Sequence, residues 1–471
     1  MEQLDALSRE QLIQVILDQH RMIQELRAEI EQLKRRGGAA PFSKGTRKPD
    51  PKAPGRKPGQ GFFRFRSGPE SGLTSAPVPV RVEGCCPDCG GDFGEARTEV
   101  VSITDIPMER RPEVRRYEVE TRRCGQCGKS VRGQHPEIAA GQRGATAHRV
   151  GPRVKALAHV LHYAHGVPVR KVPAIVEDLT GVRLTQGAIT QDAMAQTAGA
   201  VGARYAQLRG LVKQQAVAHT DDTGWRVGGR TAFLMAFVNP ALAVYQVRPR
   251  HRNEEVRELI PADFPGILIC DRGKSYDADE LLGLRQQKCL AHLLRNASEV
   301  EKRKTGPARQ FSRKLKLLLR AALALRAARS QLDANIYRDE AKAMDDRLTH
   351  HLRNRILRDD DNQKLLNGVG TQQDRGHLLR FLFQDGVEPT NNRAERDLRP
   401  AVIARKVSHC SRNERGARAF EAFTSVIQTL RRTTPAPIGI AFQNLLAPAP
   451  LASDRPFLYP PHPPIFRVRT R

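Results

Sequence analysis

The stretch from 214 to 270 constrains the fold of this chain more than any other. QQAVAHT, TAFLMAFV and ALAVYQVR are short runs rich in apolar, β-branched and aromatic residues, punctuated by Gly228-Gly229 and Asn239-Pro240. Such runs between turn residues read as successive strands. HRNEEVRELI then has the mixed charge of an exposed helix, and FPGILIC is the continuous apolar run of a strand covered on both faces. Three strands, a helix and a further strand predict an α/β core on a mixed sheet, assigned to residues 211–279.

Acidic residues sit at telling places in that pattern. Asp221 follows AVAHT, and Asp271 follows GILIC. Glu395 lies in TNNRAERDLRP, where Thr390 or Asn391 can cap a helix. Strand ends and helices are rigid mounts of the kind a metal site requires. Three converging carboxylates can hold two Mg²⁺ or Mn²⁺ ions about 3.5–4 Å apart, a geometry suited to phosphodiester chemistry. Asp222, Asp277 and Asp397 stand close by. Asp221 and Asp222 point to opposite faces if the strand continues, so the local pattern leaves that choice open.

Lys plus Arg outnumber Asp plus Glu by 78 to 51, a formal charge of +27 with a pI near 10.3. A polyanionic partner, nucleic acid, fits this balance. No stretch approaches the roughly 20 apolar residues of a membrane span. The acidic, polar start MEQLDALSREQ lacks the character of a secretory leader, so a cytoplasmic protein is expected. In a reducing compartment, paired cysteines favour metal over disulfide. Cys86, Cys89, Cys124 and Cys127 form two C-x-x-C pairs, each followed by Gly. Four thiolates about 2.3 Å from the metal close a tetrahedral shell, so a structural Zn²⁺ is expected in a ribbon over 84–133.

Residues 4–34 read as a coiled-coil helix. Leu12, Gln19, Leu26 and Leu33 recur every seven residues, with Ile16, Ile23 and Ile30 interleaved. That helix predicts a homo-oligomer. A basic linker over 35–83 follows, with ten basic residues against one acid between Arg35 and Arg66. Residues 145–210 predict three helices, the second ending at Gly181 and the third, 184–208, capped by Thr185. A DNA-reading helix-turn-helix and a plain helical bundle both fit this region. Residues 280–385 predict a helical insertion. Lys302 to Arg329 holds ten Lys or Arg and no acid, either a phosphate-facing stripe or a solvated face. Residues 386–445 predict the rest of the core, and 446–471 a Pro-rich disordered tail. Arg393, Arg396, Arg399, Arg405, Lys406 and Arg412 surround Glu395 and could hold DNA phosphates.

Several of these segments are recognisable together. AHTDDTGWRV, ICDRGKSYD, KCLAHLLRNA and EPTNNRAERDLRPAVIARKVSHCSRNERGARAF resemble motifs of the insertion-sequence-66-type transposases, a bacterial family with a ribonuclease H-like catalytic domain. The heptad helix, basic linker and cysteine pairs stand in the order seen in that family, so the resemblance spans about residues 5–445. It implies Asp221, Asp271 and Glu395 as the catalytic acids, holding two Mg²⁺ ions. It implies a supporting role for Cys289 and His292 in the C-x-x-H segment. It implies transposon-end and target DNA as partners, accessory proteins from the same element, and a nucleoid-associated cytoplasmic location. The chain departs from the family in carrying Asp222 where Glu is usual, and in lacking the G-G-Q-P-G-H linker ending.

Overall fold

The computed structural model describes residues 148–353 and 355–446, most of 112–144, and positions 18–19, 23–24 and 89–90. The chain divides into two compact units, Met1–Arg110 and Arg111–Arg471. The linker, Cys86, the tail from 447 onward and almost all of the heptad helix lie outside the described residues. Asp18, Gln19, Ile23 and Gln24 of that helix are helical.

In the second unit, strands β1 (Thr121–Arg123) and β2 (Ser130–Arg132) form a small antiparallel hairpin. Helix α1 (Pro152–His159) opens with Pro in its first turn and runs on through a π-type turn, Val160–Ala164. Helix α2 (Val172–Thr180) stops at Gly181, whose φ of 69° is the left-handed conformation glycine adopts freely. Helix α3 (Gln186–Ala198) starts where the Thr185 hydroxyl accepts the Ala188 N–H at 3.1 Å. The single helix expected over 184–208 is in fact two. The backbone breaks at Gly199 (φ −112°, ψ −129°) and restarts as α4 (Ala200–Val212).

The main sheet has five strands: β3 (Val217–Val227), β4 (Arg230–Val238), β5 (Ala243–Arg248), β6 (Ile267–Cys270) and β7 (Arg285–Lys288). A short helix, α5 (Asn253–Arg257), precedes β6. The spatial order is β5-β4-β3-β6-β7. β3, β4 and β5 pair antiparallel, whereas β6 and β7 run parallel to β3. Gly228 and Gly229, both at positive φ, close the β3–β4 hairpin.

Two further features depart from the sequence reading. β3 does not end before Asp221; it continues to Val227, so both aspartates lie within the strand. A fifth strand, β7, lies in the region assigned to the helical insertion. Its sequence is RQQK, and three of its four residues are buried. Their polar groups are satisfied inside: Gln286 Nε2 donates to Tyr276 O at 2.8 Å, and Gln287 Nε2 to Leu378 O at 2.7 Å.

After β7 come α6 (Leu290–Lys302), α7 (Gln310–Ala327), α8 (Ala334–Leu352), α9 (Asp360–Asp374) and the short α10 (Arg380–Phe383). The chain then returns through α11 (Asn392–Ser408), α12 (Glu414–Thr433) and α13 (Ile438–Leu446). Leu234, Ala236 and Val238 of β4 face Leu398 of α11 and Phe420 of α12. Met235 and Phe237, one step out of phase, face a core built with α1, α4 and α12. Ile267 and Ile269 of β6 anchor a separate core shared with the inserted helices. The sheet is therefore covered on both faces.

Helix α12 also closes the open edge of the sheet. Glu421, Ser425 and Thr429 accept the N–H groups of Val247, Tyr245 and Ala243 at 2.5, 2.9 and 3.1 Å. Four residues of helix rise about 6 Å, and two residues of strand rise nearly 7 Å. The two periods match closely enough for side chains to stand in for a missing strand.

Candidate active site

Strand alternation separates the two adjacent aspartates. Thr220 and Asp222 turn one way: the Thr220 hydroxyl lies 3.5 Å from Tyr276 Oη, and Asp222 Oδ1 is 2.9 Å from His251 Nδ1. His219 and Asp221 turn the other way. His219 lies 3.9 Å from Glu388, and Asp221 feels the charges of Asp271 and Glu395. Burial pushes the Asp221 carboxyl up to about 7. The Asp222 N–H pulls it down, and the charges of Asp222, Asp271 and Glu395 raise it further. Burial brings the His219 imidazole down to about 4, so it is neutral at physiological pH.

Asp271 stands one residue beyond β6, and its Oδ1 accepts the Gly273 N–H at 2.8 Å. A Cβ at Gly273 would approach that oxygen to 3.0 Å, so glycine suits the turn. Glu395 occupies the first turn of α11, where the helix dipole favours a carboxylate. The other acids of the neighbourhood have basic partners. Asp222 has His251 at 2.9 Å, Asp277 has the fully buried Lys288 at 2.9 Å, and Asp397 has Arg432 at 2.6 Å. Among the described residues, neither Asp221 nor Asp271 has an ion-pair partner, and Glu395 has only His292 at 3.7 Å. Among the described residues, no three His, Cys, Asp or Glu side chains are grouped closely enough to hold a metal ion by themselves. Mg²⁺ keeps several waters and takes only one or two carboxylates from a protein, so an open acidic site suits it.

Cys289 and His292 sit beside this site. Burial alone would raise the Cys289 thiol, but hydrogen bonds from the His292 ring and the Asn391 N–H hold it below the usual range. The same contact with Cys289 raises the His292 imidazole. His292 thus stands between a thiol and Glu395.

The basic residues divide into two groups. Arg393 is held by Glu388 at 3.0 and 2.5 Å. Arg405 reaches back to the Thr223 hydroxyl at 3.0 Å and to the Gly224 carbonyl, latching α11 onto β3. Arg396, Arg399, Lys406 and Arg412 are exposed. The run from Lys302 to Arg329 is less free than its sequence implies. Glu301 draws in Arg309, Arg313 and Lys316, Asp359 and Asp361 draw in Lys304, and Asp385 takes Arg329. Five of the ten cations are therefore paired within the protein.

Cys124 and Cys127 lie in the turn between β1 and β2 and are exposed, as is Cys89. Backbone N–H groups of Cys127 and Gln126 lower the Cys124 thiol.

The fold is of the α/β class, a mixed sheet with acids beside its central strands. The sequence model of the transposase IS66 family matches residues 148–419. That span is more than half of the 471 residues, and the chain belongs to this family. Membership gives it a transposase role, with DNA as its partner. No curated protein matches the chain in sequence. Among the described residues, no helix is long and apolar enough to cross a membrane.

Proposed function

We propose that the chain cleaves DNA at the ends of its mobile element and joins those ends to target DNA, using Asp221, Asp271 and Glu395. The observation that carries this reading is that Asp221 and Asp271 have no ion-pair partner among the described residues, while the charges of Asp222, Asp271 and Glu395 add to burial in raising the Asp221 carboxyl. That repulsion is what divalent cations would relieve. The sheet order, with three antiparallel strands followed by two parallel ones, supports a ribonuclease H-like core.

Two Mg²⁺ or Mn²⁺ ions, when bound, supply a nucleophile at neutral pH and stabilise the departing oxygen. Asp221, on the central strand between β4 and β6, would hold the ions together with Asp271 and Glu395. Water forms a new bond to phosphorus while the bond to the 3′-oxygen breaks, which frees a 3′-hydroxyl. That hydroxyl then attacks a target phosphodiester, exchanging one phosphate ester for another. Exposed Arg399, Lys406 and Arg412 draw the DNA backbone toward the acids, while Arg393 and Arg405 brace the protein. Cys86, Cys89, Cys124 and Cys127 would hold a structural Zn²⁺, and the heptad helix would bring copies of the chain together.

Incubation with element-end DNA and Mn²⁺ tests the catalytic part. Asp271→Asn is expected to bind the DNA normally and to lose cleavage by roughly 10³-fold or more. Cleavage unaffected by the substitution would remove the site assignment. Binding without cleavage by the wild-type chain would make it a regulator instead. For the zinc, elemental analysis of freshly purified protein should find about one Zn²⁺ per chain, lost in Cys124→Ser. A zinc-free wild-type preparation rules that site out.

A further inference from the structure

We infer that Asn391 is the positioning residue that holds the three acids in mutual register. This inference rests on the proposed catalytic reading.

Asn391 is fully buried at the start of α11. Its Nδ2 donates to the carbonyl of Thr220 at 2.7 Å, the residue just before Asp221. Its backbone N–H donates to Cys289 Sγ at 3.1 Å. Its carbonyl accepts the N–H of Glu395 at 3.3 Å. Cys289 in turn donates its own N–H to the carbonyl of Cys270 at 2.9 Å, the residue just before Asp271. Starting from this one asparagine, hydrogen bonds reach the peptide preceding each aspartate, and Glu395 itself.

The need for such a tie follows from the sheet. The β3–β6 ladder ends at His219 and Ile269. Asp221 and Asp271 both lie beyond that point, where the strands no longer bond to each other. Asn391 and Cys289 span this gap. Two metal ions about 3.5–4 Å apart tolerate only small errors in ligand placement. At Asp221 strand β3 is paired with β4 alone, so losing the Asn391 tie would let this segment shift against β6 without unfolding the sheet.

A structural amide and a positioning amide predict different results. The full-length chain is titrated with Mn²⁺, and its thermal unfolding is followed in EDTA. Asn391→Ala and the milder Asn391→Ser are compared with Ser425→Ala. Ser425 is also fully buried and also bonds a strand amide, but at the β5 edge. Both Asn391 variants are expected to bind Mn²⁺ at least tenfold more weakly, the usual scale for a group that supports a metal ligand. Ser425→Ala should lower the melting temperature comparably and leave Mn²⁺ affinity within about twofold of wild type. Wild-type Mn²⁺ affinity in a folded Asn391 variant would overturn the inference alone. A wild-type chain whose Mn²⁺ binding is absent, or is untouched by Asp221→Asn, would overturn the catalytic reading beneath it.

Discussion

Asp221→Asn is expected to melt several degrees above the wild-type chain in metal-free buffer at about pH 8, while losing DNA cleavage. In the folded chain, burial and the neighbouring acids push the Asp221 carboxyl up to about 7. In the unfolded chain it returns to about 3.9. Between those values the folded state holds the extra proton. The stabilising contribution of this carboxyl is therefore complete below about pH 4 and is lost as pH rises through 7. At pH 8 the ionised Asp221 faces Asp222, Asp271 and Glu395 with no cationic partner among the described residues. Asn removes that repulsion at almost the same volume. Three pK units correspond to about 4 kcal/mol, and partial exposure reduces this to roughly 2 kcal/mol. The advantage should shrink steadily toward pH 4. Saturating Mn²⁺ should reverse the order, since only the wild-type chain gains from binding. Equal melting of the two proteins across the whole pH range would show that the three acids do not repel one another.

Glu421→Ala should cost about 3–5 kcal/mol, the scale for removing one partner of a buried ion pair. Glu421 is buried in α12 and meets Arg248 of β5 at 2.8 Å. Arg248 continues to Glu258 at 2.6 Å, and Glu258 to Arg209 of α4 at 3.1 Å. The same carboxylate accepts the Val247 N–H, so alanine strands a strand amide and leaves the Arg248 guanidinium with Glu258 as its acidic partner. Gln in that position keeps an acceptor for Val247 and should cost less. Urea unfolding separates the two variants. A loss below about 1 kcal/mol for the alanine variant would mean that water, not Glu421, satisfies Arg248.

Some of this protein is legible in local pattern. Thr185 caps its helix, Gly181 ends another, and Gly228-Gly229 turns the hairpin. Each effect depends on one residue and its nearest neighbours, so it survives without knowledge of the fold. The break at Gly199 was missed because the apolar pattern runs through it unbroken. β7 was missed for a different reason. RQQK has no apolar signal, and it is buried only because Tyr276, Leu378 and Asp277 happen to supply partners from elsewhere.

The candidate site divides in the same way. Sequence alone determined that the chain carries an α/β core with acids beside two apolar strands, because strand periodicity and turn chemistry are written locally. It also selected the family, since motifs are read residue by residue. The family motifs implied Asp221 rather than Asp222, and the tertiary structure turns the two to opposite sides, because the side a strand residue faces depends on what packs there. Only the tertiary structure showed that Arg393 and half of the basic run are engaged by nearby acids, and that Asn391 bridges Thr220 and Cys289. A charge is free or paired, and an amide is a cap or a strut, according to distant partners, as Asn391 depends on Thr220, 171 residues away.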